Sequence, residues 1–125
     1  FSLATAISMA KAGARVLAWA RNKTALDELA VELSVLGPKN HSTFVGDACD
    51  LASLKAQVQQ YLADSPIHIL VLNSGGPPGG PIHMASEGAF SDALKQHLLT
   101  NSALAQLVLP QMKKAGLGRI LTILS

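Results

Sequence analysis

Apolar residues fall along this chain in two alternating patterns. Four runs have strand character: Ala14 to Ala20, Ser42 to Asp47, His68 to Asn73 and Arg119 to Leu124. Between the first two, Leu26, Leu29, Ala30, Leu33 and Leu36 recur at helical spacing, and between the next two Leu51, Leu54, Val58 and Leu62 do the same. Leu3, Ile7 and Ala10 mark a helix ahead of the first run, ending at Gly13. A longer helical region runs from about Ser86 to Lys114, with Leu94, Leu98, Ala105, Val108 and Met112 as its inner stripe. Strands that alternate with helices predict βαβ units and a parallel sheet. The run Ile69 to Leu72 has no polar alternation, which predicts a strand covered on both faces.

Punctuation agrees with the periodicity. Gly37-Pro38 stops the second helix, Asp50 is a plausible N-cap for the third, and Pro110 removes a hydrogen bond inside the long one and is expected to kink it. The stretch HILVLNSGGPPGGP, residues 68 to 81, joins a buried strand to a loop both bare and stiff. Gly75 and Gly76 take away the side chains that would keep a ligand off the main chain, while Pro77 and Pro78 fix φ. That geometry suits a ligand crossing a strand end; a plain glycine-rich turn is the other reading.

Composition narrows the class. The chain has 125 residues, 49% of them apolar and 14% charged, which suits one soluble globular domain. Ten basic and eight acidic side chains give a net charge of +2 with Lys113-Lys114 the only adjacent basic pair, so nucleic acid is not indicated. Cys49 is the single cysteine, with no neighbouring base, and is read as a buried structural thiol. His41, His68, His83 and His97 have no ligand spacing, and no metal site is assigned; the first three lie at loop or strand boundaries, where solvent contact is expected. Apolar stretches stop well short of the ~20 residues of a membrane span, so no membrane partner and a cytoplasmic location are expected. Phe1-Ser2-Leu3 opens into a helical pattern without a cap and Ile120 to Leu124 read like the middle of a structure, so the chain reads as an excerpt.

With these residues laid out, the sequence resembles the short-chain dehydrogenase/reductase family over essentially its whole length. Asn73-Ser74-Gly75 stands where that family has Asn-Ala-Gly after its fourth strand, and Asp47-Ala48 where it has an Asp and a small or apolar residue after its third. Leu109-Pro110, Gly118-Arg119-Ile120 and Thr122-Ile123-Leu124-Ser125 match in spacing. Each match is weak alone; their order on the expected elements gives them weight. The resemblance implies an α/β fold, a Rossmann-type doubly wound parallel sheet in three αβα layers, of which residues 1–125 are part of a single NAD(P)-binding domain lacking its first strand and C-terminal part. The loop resembles a subset of the family with Gly-Gly-Pro-Pro here, and the texture of the chain as a whole resembles that of 3-oxoacyl carrier-protein reductase-like members.

The resemblance also implies roles for residues. At the end of the second family strand an acid would favour NAD; here Ala18-Trp19-Ala20-Arg21-Asn22-Lys23 has none, and Arg21 with Lys23 favours the 2′-phosphate of NADP, with Asn22 in the same turn. The alternative is that Arg21 and Lys23 merely begin an exposed helix. Asp47 would accept from the adenine amino group and the Ala48 backbone would meet the ring, or Asp47 is a turn residue. Asn73, Ser74 and Gly75 would line the ribose and diphosphate, with Ile123 added to the cofactor-binding set. Ser125 would hydrogen-bond the substrate carbonyl. A family Tyr and Lys, which would handle the proton, would lie beyond residue 125. Counting back from Gly118 puts His97 where the family has an Asn that holds a relay water, with Asn101 one turn on and about 40° away, so either could hold it. The other reading of His97 is a hydrogen-bonded core residue with no relay role.

These readings converge on an NADP-dependent oxidoreductase of small carbonyl or alcohol substrates, with homo-oligomers, dimers or tetramers, formed through the long helix. An NADP-binding sensor or scaffold without catalysis is the alternative, and a flavodoxin-like sheet is a third. The resemblance implies a strand order in which a strand preceding residue 1 fills the centre of the sheet. The isolated 125-residue peptide is therefore expected to lack a stable monomeric fold, because central edges would be unpaired. Cooperative two-state unfolding of that peptide as a monomer would overturn the expectation.

Overall fold

A computed structural model of the chain describes residues 2–74 and 79–123. Its elements are, in chain order, α1 (Ser2–Lys11), β1 (Leu17–Ala20), α2 (Lys23–Leu33), β2 (Ser42–Val45), α3 (Leu51–Asp64), β3 (Ile69–Leu72), a 3₁₀ turn (Ile82–Met84), α4 (Glu87–Leu94), a π turn (Lys95–Leu99), α5 (Thr100–Ala115) and β4 (Arg119–Thr122). The expected order of helices and strands is present, and each strand is four residues long, shorter than its apolar run. The chain divides into two compact units, one ending at Asp47 and one beginning at Ala48. No helix among the described residues is long and apolar enough to cross a membrane.

In the first unit β1 and β2 pair in parallel, Leu17 opposite Ser42 through Ala20 opposite Val45. Helix α2 packs on both strands, and α1 packs on α2. Ala10, Leu29 and Leu33 are the buried centre, with Ile7, Val16, Ala18 and Leu36 around them. Leu33 is fully buried, which by itself is worth about 1.5–3 kcal/mol. The helix starts at Asn22, whose side chain accepts from the Ala25 N–H at 3.1 Å. It stops at Leu33, short of Gly37-Pro38, where the Ser34 hydroxyl donates to Val31 O at 2.6 Å and the Leu36 N–H turns back to Leu33 O at 3.0 Å. Gly37 has φ +57°, and a Cβ built on it would lie 2.2 Å from the Ala10 carbonyl oxygen, so the turn and the approach to α1 both require glycine. His41 departs from its expected contact with solvent. It is half-buried, its Nδ1 accepts from the Val16 N–H at 3.0 Å, and its Nε2 donates to Leu36 O at 2.8 Å. The ring thus satisfies two backbone groups where the chain enters β1 and leaves α2.

In the second unit β3 and β4 pair in parallel, Ile69 opposite Arg119 through Leu72 opposite Thr122. Asp50 caps α3, accepting from the Ser53 N–H at 3.2 Å, as its position before the helix implied. Helix α5 packs against α3 and β3. Leu54, Val58, Leu72, Leu104, Val108 and Met112 are buried here. The expected cover on both faces of the third strand is not what the unit provides. Ile69 is 40% exposed, and every residue of β4 is exposed, because α5 on β3 is the close helix packing on this pair among the described elements.

The inner stripe of the long helical region also differs from expectation. Leu94 and Leu98 are 56% and 58% exposed, and the buried series is Thr100, Leu104, Val108 and Met112. Two causes act together. The π turn puts an extra residue into the helix and rotates everything before it by about 100° relative to α numbering. The buried series then begins with a threonine, which an apolar count passes over. Pro110 lies inside α5, and a π-type departure from α hydrogen bonding sits at Lys95–Leu99, about three turns earlier. Thr100 is 2% exposed and its hydroxyl donates to Ala48 O at 2.6 Å, tying the start of α5 to the loop before α3. The helix ends at Gly116, φ +68°, and Gly118 leaves room for the Met112 side chain, 2.7 Å from where its Cβ would stand.

Two substitutions test these packing arguments in the whole protein by denaturant unfolding. Gly37→Ala should cost roughly 2–4 kcal/mol, since it strains φ and strikes a backbone oxygen; a loss under half a kcal/mol would show that the turn tolerates a side chain. Thr100→Val keeps the shape and removes the hydroxyl, and should cost about 1–3 kcal/mol, with Thr100→Ser retaining most of the stability.

Candidate functional site

The sequence-derived candidates fall into two groups, one in each unit. In the first unit the last bond between the strands runs from the Gly46 N–H to Ala20 O at 3.0 Å, so the chain leaves β1 and β2 at one level. Arg21, Asn22 and Lys23 follow β1 there, and Asp47 follows β2. The Asn22 side chain is spent on the helix cap. Lys23 Nζ lies 2.6 Å from Asp27 Oδ2 one turn along α2, an exposed pair of the kind worth about 0.3–0.5 kcal/mol. Arg21 is exposed, and no ion pair engages it among the described residues. Of the two charges, Arg21 and Lys23, it is therefore the one without an ion pair among the described residues. Beside this end of the sheet Trp19 and Phe44, cross-strand partners, stack at 6.4 Å between ring centroids and 17° between planes.

In the second unit the Ile123 N–H donates to Leu72 O at 2.9 Å, which brings Ile123 to the level at which Asn73 and Ser74 leave β3. Ser74 Oγ lies 2.7 Å from Nδ1 of His97, whose backbone belongs to the π turn. The other ring nitrogen, Nε2, is buried and has no hydrogen-bond partner among the described residues. Asn101 donates from Nδ2 to the His97 carbonyl at 3.0 Å, a bond back along its own helix. Ala48 is buried, and its carbonyl is the one held by Thr100. The structure thus joins Ser74, His97 and Asn101 in one chain of contacts and fixes Ala48 from α5. Gly75 and Ser125, also singled out from sequence, lie outside the described residues.

Two corrections apply to the residues around this group. Cys49 was expected to be buried; it is exposed on the turn before α3, where Gln96 Nε2 donates to its Sγ at 3.1 Å. Local apolar neighbours misled here, because Ala48 turns inward and the next residue turns outward. Thr100 was not singled out from the sequence at all, although its spacing of four from Leu104, itself four from Val108, was a usable signal. The Ser74 to His97 contact, by contrast, spans 23 residues and has no local signature.

The short chain dehydrogenase family matches residues 1–125. Estradiol 17-beta-dehydrogenase 11 of Pongo abelii is 29% identical over 124 residues, covering 97% of this chain and 40% of its own length. A metagenomic short-chain oxidoreductase solved in complex with NADP superposes with a TM-score of 0.89 at 26% identity, over 98% of this chain and 56% of that one. Hydroxysteroid dehydrogenase from Escherichia coli superposes with a TM-score of 0.85 at 31% identity, over 96% of this chain and 49% of that one. The chain therefore spans about half, or less, of the length of these relatives. Its helix and strand order and its parallel strand pairs are those of a Rossmann-type α/β fold. With the family match running from the first residue to the last, this chain belongs to the short-chain dehydrogenase family.

Proposed function

We propose that the chain is part of a single dinucleotide-binding domain of an NADP-dependent oxidoreductase that interconverts a small carbonyl compound and its alcohol. The observation that carries this reading is the placement of the candidates. Arg21 and Asp47 stand at one carboxyl end of a parallel strand pair, and Asn73, Ser74 and Ile123 stand at the carboxyl end of the other. Ligands of open α/β sheets bind outside such ends. Solved relatives carry NADP or NADPH.

The residues present fit such a cofactor. Arg21 supplies a fixed cation for a 2′-phosphate at a turn without a carboxylate to repel it, and Lys23 adds a second positive charge already shared with Asp27. Asn22 contributes through the helix it starts, whose N-terminal end favours an anion. Asp47 would accept from the adenine amino group, and the Ala48 backbone, held by Thr100, would lie along the ring. Asn73, Ser74 and Gly75 would line the ribose and diphosphate, with Ile123 beside them. When bound, the nicotinamide supplies the hydride chemistry. Ser125 would polarise the substrate carbonyl. Of the two relay candidates, Asn101 gives one amide N–H to the His97 carbonyl and keeps its other N–H and its Oδ1, and His97 keeps Nε2, so either could hold a water.

The long helix is proposed to meet its copy in a homo-oligomer. Phe90, Leu94 and Leu98 on α4 and the π turn are more than half exposed, an apolar face of the kind that seeks cover.

Arg21→Asp tests the cofactor assignment. It should lower kcat/KM with NADP relative to NAD by roughly 10- to 100-fold, the worth of a charge-assisted phosphate contact. An unchanged ratio would remove Arg21 from the site, and a wild-type protein that transfers no hydride yet binds NADP would point to a sensor.

A further inference from the structure

A threonine inside a helix commonly gives its hydroxyl to a carbonyl one turn back in the same helix. Thr100 gives it across 52 positions instead: Oγ1 donates to Ala48 O at 2.6 Å, and the residue is 2% exposed. Four positions earlier, Gln96 Nε2 donates to Cys49 Sγ at 3.1 Å. The backbone between these two is the π turn, with the Thr100 N–H bonded to Lys95 O, five residues back. This short piece of helix therefore holds two consecutive residues of the loop before α3, one by its main chain and one by its side chain. The next residue, Asp50, is held as well, since its carboxylate accepts from the Ser53 N–H at 3.2 Å. Each residue from 48 to 50 thus has a fixed partner, and those partners all lie in the second unit.

Of these contacts the Thr100 bond is the strong one. It is short, enclosed and between oxygens, whereas the Gln96 contact is exposed and ends on sulfur, a weak acceptor. What the hydroxyl adds over packing is direction, because a bond to the Ala48 carbonyl fixes the peptide plane that joins Ala48 to Cys49. A backbone already held in place receives a flat ring without first being ordered, and the ordering cost that is avoided appears as affinity. We infer that Thr100 is a positioning residue for adenine, acting through the Ala48 main chain and not by contact with the ring. The inference rests on the dinucleotide reading of the site. It gives α5 a share in how tightly the cofactor is held, and it separates that share from the choice between NADP and NAD, which the same reading assigns to Arg21.

The test uses the whole protein, with NADP, NAD, ADP and nicotinamide mononucleotide as probes. Thr100→Val should weaken NADP, NAD and ADP by one common factor of about 3- to 10-fold, the worth of one hydrogen bond, and leave the binding of nicotinamide mononucleotide as it was. KM for the cofactor should rise by the same factor while kcat at saturating cofactor holds, and the preference between NADP and NAD should not move, unlike in Arg21→Asp. Thr100→Ser, which restores the hydroxyl, should restore the affinity. Thr100→Ala removes the hydroxyl without setting a methyl group against the Ala48 oxygen, and should reproduce the loss if the valine variant does not fold. Val108→Ala, a truncation of a fully buried side chain on the same helix, controls for lost stability and should leave ADP affinity intact. If Thr100→Val and Thr100→Ala hold ADP as tightly as the wild type, or if Val108→Ala loses as much affinity as they do, Thr100 is a structural fastener only, and the inference fails while the cofactor reading stands. If the wild type binds neither NADP nor NAD, the cofactor reading has failed and the inference with it.

Discussion

Two backbone hydrogen bonds mark where the strand pairs end: Gly46 N–H to Ala20 O in one unit and Ile123 N–H to Leu72 O in the other. Parallel strands point the same way, so the residues that follow such a bond leave the sheet side by side, whereas antiparallel strands would send them to opposite ends. In the first unit this constraint is what makes Arg21 and Asp47 neighbours in level although 26 positions separate them in the sequence. In the second it does the same for Asn73, Ser74 and Ile123. Chemistry at these positions is thus a consequence of strand direction first and of residue type second. An Arg or Asp one residue earlier would lie within a ladder, with its side chain committed to a sheet face.

The long helix answers a different requirement. It must bury a continuous stripe against α3 and β3 and also deliver a ring to Ser74. The π turn at Lys95–Leu99 separates these tasks: after it, Thr100, Leu104, Val108 and Met112 repeat every four residues into the core, and before it the apolar side chains of α4 turn outward. Such bulges are frequent at functional sites, since one extra residue re-aims a side chain without ending the helix. Thr100, at the first position after the bulge, fastens that junction to the loop carrying Ala48. A single hydroxyl therefore links the helix that bears His97 to the backbone proposed to face an adenine ring.

What could be read from the sequence and what could not divides along physical lines. The strands were legible because short apolar runs such as Ile69 to Leu72, bounded by turn residues, alternate with helical patterns, and the cap Asp50 acts within three residues of itself. Asn22 was singled out for a ligand, and its side-chain oxygen also caps the helix. Features made by distant residues were not legible. His41 joins Val16, 25 positions away, to Leu36, and nothing near it in the sequence hints at that. The helix stripe was misread because a buried hydroxyl is counted as polar when its acceptor, 52 residues away, is not known. Cys49 was misread for the converse reason, since apolar neighbours do not tell which way a turn residue faces.

Unspent hydrogen-bonding capacity separates functional candidates from their neighbours more sharply than residue type does. At the first strand end three polar residues follow one another: the Asn22 side-chain oxygen accepts from the Ala25 N–H, Lys23 pairs with Asp27, and Arg21 has no ion pair among the described residues. In the long helix one Asn101 amide N–H goes to the His97 carbonyl and one from Gln96 to Cys49, while His97 Nε2 is buried with no hydrogen-bond partner among the described residues. Local bonds of this sort form without any ligand, so a group that escapes them in a folded chain is either bathed in water or reserved for something absent. Arg21 is exposed and could be the first case; His97 Nε2 is buried and cannot be. The buried atom therefore carries more weight than the exposed charge: water can satisfy a guanidinium at no cost in structure, but it reaches an enclosed nitrogen only by being held there. A buried ring nitrogen of this kind is met by an ordered water or by a ligand group, and the same ring through Nδ1 stands 2.7 Å from the serine at the strand end.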